Sequence, residues 1–137
     1  MFGWRARIGE ITPSLFFTAR EWYQLLPEGI DLFVANLGTQ SLVPDEFDRV
    51  FELYMGAAKQ LAAADVDFIT AGGSPILTYK GMKSVRELLK QIEAVTGLKA
   101  TTDLTAAMDA LTSLGAKNIV LATPYKEARN EERKQLL

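Results

Sequence analysis

Phe68-Ile-Thr-Ala-Gly-Gly-Ser-Pro-Ile-Leu-Thr-Tyr-Lys-Gly81 is the stretch whose reading decides the fold of this chain. Its apolar run breaks into two glycines, a serine and a proline, which is how a buried strand gives way to a turn. The acidic Asp65-Val66-Asp67 precedes it, so residues 66–71 read as a strand buried in a parallel sheet, with the Gly-Gly-Ser turn at its carboxyl end. In open α/β sheets that end is where ligands bind. Two glycines let the backbone approach a ligand closely, and a hydroxyl beside unpaired N–H groups suits a carboxylate or an oxyanion. The plainer alternative is an ordinary connection between a strand and a helix, with no ligand.

On either side, short β-like runs alternate with longer helix-like ones, the pattern of consecutive βα units. Further strands are expected at residues 7–12, 31–36, 98–102 and 118–122. Between them Phe47, Val50, Phe51, Tyr54, Ala58, Leu61 and Ala62 form one helical stripe, with Asp48, Arg49, Glu52, Lys59 and Gln60 opposite. This predicts a helix over 44–64, with Pro44 in its first turn. A second is expected over 82–95, closed by Gly97 as a left-handed C-cap, and a third over 105–114, stopping at Gly115. The fold class is therefore α/β: an open parallel sheet of about four to five strands with helices on both faces.

Three expected strands end alike, at Thr12-Pro13-Ser14, at Ala71-Gly-Gly-Ser74-Pro75 and at Thr123-Pro124-Tyr125. Proline cannot donate to a sheet ladder, so each marks the end of a strand. In a parallel sheet these loops share one edge, which gathers Ser14, Ser74, Thr123 and Tyr125 around one crevice. A proline that merely starts a helix is the alternative at each site.

At 137 residues the chain has the size of one domain. Its net charge of -2, with the basic residues scattered, gives no footprint for nucleic acid or an anionic membrane. With neither cysteine nor histidine, disulfides are excluded and a transition-metal site lacks its usual ligands. No G-x-G-x-x-G follows the first strand and no G-x-x-x-x-G-K-[ST] occurs, so no cofactor is expected. The N-terminus has no apolar segment after its charges and no run approaches a membrane span, so a cytoplasmic location is expected. The charged tail 125–137 reads as a helix that stops in mid-unit.

Four stretches together resemble the aspartate/glutamate racemase superfamily on its maleate isomerase and arylmalonate decarboxylase side: 7–14, 41–47, 72–81 and 114–130. They fall in that family's order and spacing over essentially the whole chain. The resemblance implies two similar flavodoxin-like α/β lobes with the active site between them. Residues 1–116 are then the first lobe, and 117–137 open an incomplete second one as a strand and a helix.

The same resemblance implies the site. Ser74 and Tyr125 would donate to an oxyanion, and Gly73 would let the substrate lie against the loop. The substrate would be held among Pro13, Ser14, Thr39, Leu42, Phe47, Pro75 and Ile76. Gly73 stands where the racemases and isomerases offer their first cysteine, as it does in the decarboxylases, whose one catalytic cysteine belongs to the second lobe. Pro75 replaces a second hydroxyl, and Phe47 a position that can be tyrosine. The implied activity is that of a cofactor-independent lyase or isomerase acting on a small dicarboxylic acid through an enediolate. Two alternatives remain: a non-catalytic module binding carboxylate or phosphate, and a structural protein that pairs with a second copy through its sheet edge.

Overall fold

The computed structural model describes residues 3–14 and 19–136. Its frame is one sheet of four parallel strands, β1 (Ala6–Ser14), β2 (Ile30–Thr39), β3 (Phe68–Ala71) and β4 (Lys99–Thr102), in the order β2-β1-β3-β4. The helices are α1 (Arg20–Leu25), α2 (Pro44–Ala63), α3 (Ser74–Thr96), α4 (Asp103–Ser113) and α5 (Glu127–Lys134). From β1 to β2 the chain steps one way along the sheet, and from β2 onward it steps the other way. Right-handed crossovers therefore assign α1 to one face and α2 and α3 to the opposite one.

The core lies between the sheet and the α2–α3 pair. The stripe foreseen on α2 supplies buried Phe47, Val50, Tyr54, Ala58 and Leu61; Ile11, Ile69 and Ala71 come from the strands, and Ile76, Leu77, Val85 and Ile92 from α3. A Cβ at Gly9 would meet Leu61 and Val66 at 3.1 Å, so that face of β1 lies against α2. Strand alternation puts Glu10 on the other face, with its register partners Thr70 and, beyond it, Thr101.

Two local expectations give way. The stretch 74–80, left outside the expected helix 82–95, is already helical: α3 begins at Ser74 with Pro75 in its first turn, where a missing N–H costs nothing. Gly81, at φ 76 and ψ 159, breaks that segment from the longer helix that follows, and Gly97 closes it in the left-handed conformation at φ 72. Residues 118–122 form no strand. A strand exists through its neighbour's hydrogen bonds, and Ile119, Val120 and Leu121 stand exposed with none beside them among the described residues.

Among the described residues no helix is long and apolar enough to cross a membrane.

Candidate functional site

A parallel sheet aims all its carboxyl ends at one edge, and a crevice of about 510 Å³ opens there, reached by every strand. The end of β1 contributes Thr12, Pro13 and Ser14; the segment after β2 contributes Thr39, Gln40, Ser41 and Leu42. The turn after β3 adds Gly73, Ser74, Pro75 and Ile76, the start of α4 adds Asp103, and Tyr125 closes the side. Nine of the eleven residues singled out from the sequence thus face one space: Pro13, Ser14, Thr39, Leu42, Gly73, Ser74, Pro75, Ile76 and Tyr125.

Phe47 does not. It is fully buried at the start of the α2 stripe, its ring 5.5 Å from that of Tyr79, with the Arg129 guanidinium 4.9 Å over its face. Its position on the apolar side of an amphipathic helix sends it into the core. Thr123, grouped with the hydroxyls, holds Tyr125 from behind: its Oγ1 accepts the Tyr125 N–H at 3.1 Å and bonds to the Asn130 side chain, whose Nδ2 donates to the Tyr125 carbonyl. Arg7 lies at the far end of β1, tied to Asp65 and Asp67.

The crevice walls are fixed by polar clamps. Asn36 Nδ2 donates to the Ser14 carbonyl at 2.5 Å while its Oδ1 accepts the Gly38 N–H at 2.8 Å, joining the ends of β1 and β2. Glu46 accepts the Gln40 N–H at 2.8 Å and both Nε and Nη2 of Arg49, and Arg49 reaches the Gly38 carbonyl. The Arg49 guanidinium and the Gln40 N–H hold the Glu46 carboxyl at about 2, well below the usual carboxylate range. The segment bearing Thr39 and Leu42 is thereby pinned to α2.

Under the Gly-Gly-Ser turn lie groups that sequence reasoning missed. Tyr54 Oη donates to the Gly72 carbonyl at 2.6 Å. Gly73 adopts φ 118, and a Cβ there would come within 2.6 Å of Tyr54 Oη and 2.8 Å of Pro13 Cγ, so a side chain would be strained and would have to displace these neighbours. Asp103 Oδ2 accepts from both the N–H and the hydroxyl of Ser74, at 2.9 and 2.5 Å. Ser74 thus directs its donors at a carboxylate of the protein itself. Glu10, buried on the neighbouring strand, has its pKa pushed up to about 8, first by burial and then by the charge of Asp103. Burial, with the charges of Asp103 and Glu10, likewise raises Tyr54 and keeps its phenol a neutral donor. The available signal was a lone acid inside an apolar strand for Glu10, and an acid opening a helix after Thr101-Thr102 for Asp103.

Thr39 Oγ1 is buried without a hydrogen-bond partner among the described residues. No group of three or more metal-ligating side chains occurs among them. The crevice therefore combines convergent donors at Ser74, a phenol at Tyr125 and an apolar wall of Pro13, Leu42 and Ile76.

Similar proteins share this arrangement of strands and helices. A curated relative, arylmalonate decarboxylase of Bordetella bronchiseptica, is 26% identical over 121 residues, which are 88% of this chain and 50% of that protein. The chain thus spans half the length of that relative. A liganded mutant of arylmalonate decarboxylase superposes with a TM-score of 0.84 at 26% identity, covering 93% of this chain and 54% of the other. Maleate isomerase from Pseudomonas putida shares the fold, with a TM-score of 0.82 at 20% identity over 96% of this chain and 60% of its own. Residues 13–137 match the arylmalonate decarboxylase family along their whole run, and the chain belongs to that family.

Proposed function

We propose that this chain is the carboxylate-holding lobe of an enzyme that decarboxylates or isomerises a small dicarboxylic acid through an enediolate-type intermediate. The observation that carries this reading is the convergence of the Ser74 N–H and hydroxyl on a single carboxylate oxygen, at the rim of a crevice with one apolar wall. A pair of donors that grips one carboxylate has the geometry to grip another in its place.

In the decarboxylating case the bond to the departing carboxylate breaks and carbon dioxide leaves. The electron pair stays behind on an enediolate, and a proton is then added to carbon. Negative charge grows on the retained carboxylate, where Ser74 and the Tyr125 phenol would donate; each such donor is worth about 3 kcal/mol in the transition state. Pro13, Leu42 and Ile76 would surround the departing carboxylate, which loses hydration there and gains no partner. Gly73 leaves the approach to the turn open, and Ser14, Thr39 and Pro75 complete the rim. The proton is assigned to a second lobe, of which residues 117–137 would be the opening. The unpaired apolar segment 119–121 and the doubled length of the relatives support that division.

The test is thermal stabilisation of the 137-residue chain by malonate and phenylmalonate, with carbon dioxide release followed in parallel. Both acids should raise the melting temperature without turnover. Stabilisation by neither would sink the reading, and stereospecific decarboxylation by this chain alone would move the proton donor into it. The absence of cysteine and histidine favours a second reading, a non-catalytic module for carboxylate or phosphate. Phosphate stabilising the chain more than phenylmalonate, whose ring needs the apolar wall, would select that one.

A further inference from the structure

Building on the carboxylate-holding reading, we infer that Asp103 is a specificity-determining residue that occupies the Ser74 seat from within, so that an anionic ligand reaches Ser74 only by displacing it. The geometry is that of a bound ligand. Oδ2 of Asp103 takes the N–H of Ser74 at 2.9 Å and its hydroxyl at 2.5 Å, across a sequence separation of 29 residues. Those are the two polar hydrogens Ser74 possesses. A second carboxylate on the same donors would need the same hydrogens, and would face the like charge of Asp103 at hydrogen-bonding range.

The backbone beneath Asp103 is fixed while its carboxylate is free to leave. Thr102 caps α4 by accepting the Thr105 N–H at 2.9 Å, and Thr105 Oγ1 accepts the Thr102 N–H at 2.9 Å in return. Asp103, the next residue, is exposed and lines the crevice. Its carboxylate can therefore rotate off Ser74 into water without a burial penalty, which a sequestered acid such as Glu10 could not do.

The titratable and charged groups around the pair come from three elements. From β1, Glu10 keeps its proton at neutral pH, and from α2 Tyr54 stays neutral. From α5, Arg129 and Arg133 line a small recess that shares Ser74, Pro75 and Tyr125 with the crevice. A displaced Asp103 leaves Ser74 to the ligand and itself adds negative charge at the rim.

A residue that merely caps the start of α3 affects stability, whereas an internal occupant competes with ligand. Malonate titrated calorimetrically into the 137-residue chain separates the two. Asp103→Ala should bind malonate at least about tenfold more tightly than wild type, because no charge-assisted bond has to be broken first. Asp103→Asn keeps the size and an acceptor oxygen but no charge; it should also gain, by less, and it decides the matter if the alanine variant does not fold. Acetamide, a neutral carbonyl, should gain little from the asparagine change. If malonate binds wild type through Ser74, shown by its loss in Ser74→Ala, and the folded Asp103 variants bind it no more tightly, the occupancy inference alone is overturned. If malonate binds none of these proteins, the carboxylate seat falls and the inference falls with it.

Discussion

The Tyr54 phenol hydrogen-bonds the Gly72 carbonyl at 2.6 Å, so one side chain of α2 holds the turn that carries Ser74. The bond crosses the core from a fully buried ring. Tyr54→Phe keeps the ring and removes the donor, leaving a carbonyl unpaired beside the crevice. A loss of about 1–2 kcal/mol in urea denaturation is expected, with weaker malonate binding as the turn loosens. An unchanged midpoint would show that Tyr54 only packs.

Gly73 tolerates a side chain poorly. At φ 118 an added Cβ is strained by the backbone alone, and it would also press on Tyr54 Oη and Pro13 Cγ. Gly73→Ala should cost roughly 1–3 kcal/mol. Because one of the two clashes is with the phenol oxygen, the penalty should shrink when Gly73→Ala is made in the Tyr54→Phe background. A double-mutant cycle measures this coupling directly; strictly additive losses would contradict the geometry.

Glu10 makes stability depend on pH in the sense opposite to an ordinary ion-paired carboxylate. Its folded pKa lies above the reference value, about 8 against 4.5, so the folded state binds the proton more tightly than the unfolded chain. The associated stability is complete below the unfolded value and is lost as pH rises from there through about 8, by a total on the order of 5 kcal/mol. Glu10→Gln removes this dependence. Denaturation midpoints of the two proteins should converge at and below about pH 4.5 and separate progressively as pH rises from there to about 8, with the glutamine variant the more stable. Parallel curves across that range would place an ionised, solvated Glu10 in the folded protein.

The sheet was legible because its signals are local. Apolar runs ending in Pro13 and in Gly72-Gly73 marked β1 and β3, the Phe47–Val50–Tyr54 stripe marked α2, and Gly97 marked the end of α3. The crevice followed from topology, since parallel strands deliver their carboxyl ends to one edge. Asp103 escaped because its partner Ser74 lies 29 residues away and an acid in a first helical turn is ordinary. Tyr54 was visible as core but not as a donor, since its acceptor is a backbone carbonyl that no side-chain pattern reveals. The segment 118–122 misled for the converse reason: its β-branched, apolar composition suits a strand, yet pairing is supplied by neighbours and none stands beside it. The helix α1 carries no buried residue, so no apolar stripe announced it.

The central claim is that the crevice at the carboxyl ends of the strands, and not another surface, receives a small carboxylic acid. The sharpest rival is the open groove between α2 and α3, where Lys83, Arg86 and Lys90 offer positive charge. Backbone amide chemical shifts of the labelled chain, recorded while malonate is added, distinguish the two residue by residue. The account predicts saturable shifts at Ser14, Thr39, Gly73, Ser74, Asp103 and Tyr125 with the groove silent. Saturable shifts at Lys83, Arg86 and Lys90, with Ser74 and Tyr125 unmoved, would contradict it.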